Sequence, residues 1–122
     1  MKWKIHYLMD YKRGNIVLVN FNPQKRAEEM GKIRPAVIIS DTQLNQIMDL
    51  VLVVPMTTNL IDNTEPLRIR VKARDNLIKD SDIMCEQIRG VAKSRISKKV
   101  SSLNKNELKK LENSIKSILV LS

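Results

Sequence analysis

The chain has 122 residues, 43% of them apolar and 29% charged, which suits one soluble domain with a real core. With 22 Lys and Arg against 13 Asp and Glu, the formal net charge of +9 points to an anionic partner: nucleic acid, an acidic protein or a membrane surface. A single cysteine, Cys85, excludes an intrachain disulfide and a cysteine zinc cluster.

The ten-residue lead holds Trp3, His6 and Tyr7. It has no apolar run long enough for a signal peptide, and no segment of the chain has the length of a membrane span, so cytoplasm is expected. The first element is a strand over Asn15 to Phe21, rich in β-branched residues and placed between Gly14 and Pro23. Residues 24–33 are polar, carry Lys25, Arg26 and Lys32, and read as an exposed loop. Ala36 to Ile39 reads as a second strand starting after Pro35, and Leu50 to Val54 as a third stopped by Pro55. Their unbroken apolar runs predict strands covered on both faces.

Pro66 to Lys72 changes period. Leu67, Ile69 and Val71 alternate with Arg68, Arg70 and Lys72, as in a half-buried strand whose cations stand about 6.6 Å apart on one face. That spacing is near that of phosphates along a single nucleic-acid strand. A solvated, solubilising face is an equally good reading. A strand from Ile83 to Val91 and a short one from Ile96 to Leu103 follow, with Cys85 read as a small buried hydrophobe. Asn104 and Glu107 are spaced as an N-cap and its N3 carboxylate, and Leu108, Leu111, Ile115, Ile118 and Leu119 recur at helical spacing. The expected fold is mainly β with a C-terminal α-helix over 104–119, a small barrel or sheet in one domain spanning 1–122.

Several chemistries lack their residues. One histidine excludes a histidine pair within one chain, and Gly14, Gly31 and Gly90 are too scattered for a phosphate loop. Asp80 and Asp82, with Glu86 nearby, read as acidic loop residues ahead of a strand, without the second cluster a hard metal would want. Arginine, threonine and glutamate remain. Arg34 precedes a proline that favours extended backbone, and its planar fork suits phosphate. Thr57 and Thr58 close another apolar run with hydroxyls that could meet a phosphate or a ribose.

Four segments taken in order resemble the MazF/PemK toxins, the endoribonuclease halves of type II toxin–antitoxin pairs. They are Lys12-Arg13-Gly14-Asn15-Ile16-Val17, Glu29-Met30-Gly31-Lys32-Ile33-Arg34-Pro35-Ala36-Val37, Val54-Pro55-Met56-Thr57-Thr58 and Glu86-Gln87-Ile88-Arg89. The resemblance runs from about Lys12 to Leu119. It implies an SH3-like or CcdB-like barrel, a homodimer, no cofactor, and metal-independent cleavage of single-stranded mRNA at short sequences through the ribose 2′-OH. It also implies a cognate antitoxin, and it carries the family's active pair onto Arg34 and Thr57. Glu29 is the candidate proton acceptor, the lone histidine, His6, lying in the lead ahead of the four segments. Lys32, Thr58, Arg68, Arg70, Lys72, Gln87 and Arg89 are the candidate RNA contacts. Asn15 and Met30 depart from the family's usual Arg-Gly-Asp and Glu-Gln-Gly, which bears on loop contacts and sequence preference. Two alternatives stand beside this: a CcdB-like gyrase poison, whose family ends in Trp-Gly-Ile where this chain ends Leu119-Val120-Leu121-Ser122, and a non-catalytic nucleic-acid binder.

Overall fold

The structure, a computed structural model, describes residues 10–21 and 33–121. Glu29, Lys32, Lys25, Arg26 and His6 lie outside the described residues.

The order of elements is β1 (Asn15–Asn20), β2 (Ile33–Ile38), a short α1 (Thr42–Ile47), β3 (Leu50–Thr57), β4 (Arg68–Val71), β5 (Ser81–Met84), β6 (Arg89–Ala92), β7 (Ile96–Ser102) and α2 (Lys105–Leu119). The strands join in the order β4-β5-β3-β2-β1-β7, with β6 also paired to β3, and every pairing is antiparallel. Among the described residues β4 and β7 do not pair, so the sheet curls without closing into the barrel expected from sequence.

The continuous apolar runs are explained by two cores, one on each face. Ile16, Val37, Val54 and Met56 join Ile69, Val71, Ile83, Cys85 and Leu111 on one side. Val17, Val19, Ala36, Ile38, Val51 and Val53 meet Tyr11, Val91 and Ile96 on the other. Alternate residues of each strand serve opposite faces, so neither face can be polar. Toward the start of β3 one side is open, and Leu50 and Leu52 are exposed.

The C-terminal helix forms as its period predicts. Asn104 accepts from the N–H of Glu107, whose carboxylate accepts from the N–H of Asn104, a complete capping box. Leu111 is fully buried, and Arg13 ties the helix to the sheet through Glu112 at 2.6 Å and the Ile39 carbonyl at 3.0 Å.

Two local expectations change, and one element, helix α1, was not expected. Residues 83–91 are not one strand: Cys85–Gln87 form a 3-10 turn, because Cys85 donates to the Leu67 carbonyl and drops into the core. The chain then pairs with the other half of β3 as β6. Helix α1 has no apolar period; Asp41 caps it, and buried Asn45 holds it by donating to the carbonyls of Tyr11 and Ser40. Lastly, Pro35 and Pro55 lie inside β2 and β3 instead of bounding them. Pro55 falls between the stretch of β3 paired with β6 and the stretch paired with β5, where the ladder on that side is interrupted.

Candidate active site

The site grows from the point where β2 and β3 part. Their ladder runs from Ile38–Val53 to Ala36–Pro55 and stops. Pro35, which would form the next hydrogen-bonded pair, has no N–H to offer β3, so the ladder cannot be extended with its usual bonds. Carrying the register two positions further puts Arg34 opposite Thr57. The gap left by the parting strands is a cleft of about 300 Å³, lined by Ile33, Arg34, Pro35, Met56, Thr57 and Thr58.

Both proposed catalytic side chains therefore share one cleft, although 22 residues of sequence intervene. Arg34 is held in extended backbone by its pairing with Val19 on β1 and is partly exposed. Thr57 is half-buried and Thr58 exposed. The Thr57 Oγ1 accepts a hydrogen bond from the N–H of Asn59 at 3.1 Å, which leaves its own hydroxyl proton available to an incoming oxygen. Ile33, Pro35 and Met56 complete the lining. A cation and a hydroxyl in one cleft suit an anion of phosphate size.

The alternating strand β4 is half-buried as its period predicts, but its arginines face a partner that the local pattern does not show. Asp82, on β5, is paired in register with Thr57 on one side and Arg70 on the other. Its side chain is 1% exposed and is met by Arg70 Nε at 2.5 Å, by the N–H of Ile61 at 2.9 Å and by Arg68 Nη1 at 3.6 Å. Arg70 also reaches Asp62 at 2.8 Å. Arg68 and Arg70 line a cleft of their own with Asp62, Thr64 and Glu65, and their charge is largely answered within the protein. Asp82 is not the exposed loop acid read from sequence; it is a buried anchor. Lys72, Gln87 and Arg89 are exposed and line neither cleft, and Arg89 lies over the Phe21 ring at 5.0 Å.

Burial is the largest influence on the Asp82 carboxyl and works against its charged form. The hydrogen bonds from Arg70 and Ile61, with the charges of Arg70 and Arg68, outweigh it and hold the group below its ordinary value. A carboxyl depressed on folding stabilises the protein above its unfolded value and loses that contribution as pH falls through the folded one. The stability difference between the parent and Asp82→Asn is therefore expected to be constant from neutral pH to about pH 5 and to shrink below about pH 4. Urea midpoints across that range measure it, and a difference undiminished at the acid end would show that the ionised carboxylate is not what matters. Cys85 is unlike these groups: burial pushes its thiol up to about 11, which suits the buried hydrophobe expected from sequence. Among the described residues no three His, Cys, Asp or Glu side chains converge as metal ligands, and no helix is long and apolar enough to cross a membrane.

Residues 12–119 match the model of the PemK-like, MazF-like toxin family of type II toxin–antitoxin systems. The chain belongs to that family. The chain is 32% identical over 105 residues to the endoribonuclease MazF of Staphylococcus saprophyticus, covering 85% of this chain and 87% of the relative. Its fold is similar to the Mycobacterium tuberculosis toxin MazF-mt6, with a TM-score of 0.73, 18% identity, and 88% and 98% of the two chains covered. A mycobacterial endoribonuclease solved in complex with its cognate antitoxin gives a TM-score of 0.72 at 17% identity, covering 91% of this chain and 96% of that one. Family membership agrees with the resemblance carried by the four sequence segments, and the cleft between β2 and β3 is where two of them meet.

Proposed function

We propose that this toxin, an endoribonuclease, cuts single-stranded mRNA at short sequences by attack of the ribose 2′-OH on the adjacent phosphate, with no metal ion taking part. The observation that carries the reading is the cleft that brings Arg34 and Thr57 together from two strands. Attack at phosphorus builds negative charge on the non-bridging oxygens, and a fixed guanidinium answers it better than water can. Arg34 supplies that charge and assists the departing 5′-oxygen. Thr57 donates its hydroxyl to a phosphate oxygen, and Thr58 extends the contact along the strand. Glu29 is proposed as proton acceptor for the 2′-OH. The bond to the 5′-oxygen breaks, that oxygen takes a proton from solvent as it leaves, and the products are a 2′,3′-cyclic phosphate and a 5′-hydroxyl.

Lys32, Lys72, Gln87 and Arg89 are proposed to steer RNA outside the cleft, helped by the net charge of +9. Arg68 and Arg70 contribute less to this than their spacing alone suggests, because Asp82 and Asp62 hold them. The protein is proposed to work in the cytoplasm as a homodimer. A cognate antitoxin with an acidic or amphipathic tail would cover the RNA path, since a basic groove attracts either polyanion.

Purified protein incubated with a long RNA in excess EDTA is expected to yield recurrent cuts with 5′-hydroxyl ends. Binding without cutting would replace this reading with the non-catalytic binder, and cutting only on addition of a divalent cation would remove its metal-free step.

A further inference from the structure

The Arg68–Arg70–Asp82 cluster lies next to the candidate active site along the sheet, and its contacts lead to Thr57. Asp82 is the register partner of Thr57. Its Oδ2 accepts from the N–H of Ile61 at 2.9 Å and stands 3.6 Å from Arg68 Nη1. The same Arg68 nitrogen donates to the carbonyl of Asn59 at 3.0 Å. The N–H of Asn59 then donates to Thr57 Oγ1 at 3.1 Å. One buried carboxylate thus fixes the segment leaving β3 at two points, once at Ile61 and once, through Arg68, at Asn59.

We propose that Asp82 is a positioning residue for Thr57: through Arg68 and Asn59 it holds the threonine hydroxyl with its acceptor side occupied and its proton aimed at the scissile phosphate. The argument is one of hydrogen-bond inventory. A free threonine hydroxyl rotates and both donates and accepts. With the Asn59 N–H fixed on the oxygen, the rotor that would turn the proton toward the loop is disfavoured, which leaves the orientations away from it, on the side of the cleft that Thr57 lines. The loop alone would not secure this, because Leu60 to Asn63 are exposed and offer little packing. Asp82 supplies an attachment inside the sheet instead. Arg70, bonded to Asp82 and to Asp62, pins the outer turn of the same segment.

The inference rests on the ribonuclease reading, and its test has one arm that does not. Amide exchange in the protein alone is expected to quicken at both Asn59 and Ile61 in Asp82→Asn, by about tenfold, with the strand amides of β3 unchanged. Arg68→Met leaves Asp82 paired with Arg70 and Ile61, so its fold is secure, and only the Asn59 amide should quicken. Unchanged exchange at Asn59 in both variants overturns the clamp, whatever the protein does to RNA. In the second arm, single-turnover cleavage is expected to slow about tenfold in Asp82→Asn, while affinity for a 2′-deoxy, uncleavable strand holds or rises as the arginines lose their internal partner. In a Thr57→Ala background the Asp82 change should cost less than about twofold more, since both act through one hydroxyl. Additive losses, or a loss confined to affinity, would overturn the positioning role while leaving the ribonuclease intact. If the parent protein cuts no RNA, the proposed function falls and the positioning role falls with it, with the exchange result still reporting on the clamp.

Discussion

Arg34→Ala is expected to slow RNA cleavage by about a thousandfold under single-turnover conditions, the range in which removal of a fixed donor or an arginine from a phosphoryl or oxyanion site falls. Among the described residues Arg34 is the one cation lining the cleft with Thr57, so none of them can answer charge on the phosphorane in its place. Substrate affinity should fall far less, because the ground-state phosphate already carries its charge and other cations attract it from outside. Loss of one phosphate contact should also reduce the slope of log affinity against log salt by about 0.7 for a single strand. Arg34→Lys should recover part of the rate, since a lysine keeps the charge but not the two-pronged geometry. The decisive comparison is the variant's cleavage rate on the RNA its parent cuts. Equal rates would remove Arg34 from the chemistry, and a change confined to affinity would leave it as a phosphate contact.

How much of this was legible beforehand depends on whether the information is local. Runs such as Val51 to Val54 announce buried strands because both faces of the sheet are covered, and the helical recurrence of Leu111 and Ile115 announces α2. The four family-like segments singled out Arg34 and Thr57. Their shared cleft is a consequence of register, and register is set by pairings between residues far apart in the chain. The same holds for β4. Alternation places Arg68 and Arg70 on one side of a strand, but it does not say that Asp82, twelve residues beyond Arg70, will be buried between them. An acid in a Lys-Asp-Ser-Asp stretch looks solvated until its strand is placed. The prolines mislead in a similar way. Proline breaks a ladder only where a donor is required, and at Pro35 and Pro55 the sheet makes use of the break. Helix α1 shows the limit from the other side: it is held by Asp41 as a cap and by the buried amide of Asn45, with no apolar stripe to betray it.

The architecture that opens the cleft also needs its sheet held rigid, and this leads to the second large effect. Leu111→Ala is expected to destabilise the protein by about 3 kcal/mol, in the middle of the range for a buried leucine whose cavity cannot collapse. Leu111 is fully buried in the core that also holds Val54 and Met56 of β3 and Ile83 of β5, the strands that carry Thr57 and Asp82. Collapse of the cavity is resisted from both directions. Beneath it lies a sheet whose other face is filled by a second core, and above it the helix is fixed at its start by the capping box and along its length by the Arg13–Glu112 ion pair. Ile47→Ala is the matched control, an aliphatic truncation at a side chain 80% exposed, which should change stability by no more than about 0.5 kcal/mol. Urea denaturation of both variants reads the difference directly in the midpoints. A loss at Leu111 of about 1 kcal/mol or less would mean that α2 packs loosely on the sheet, and the cleft would then have to owe its shape to the β2–β3 pairing alone. A loss near the expected value, with cleavage at saturating RNA unchanged well below the unfolding transition, would show that the helix secures the fold without entering the chemistry.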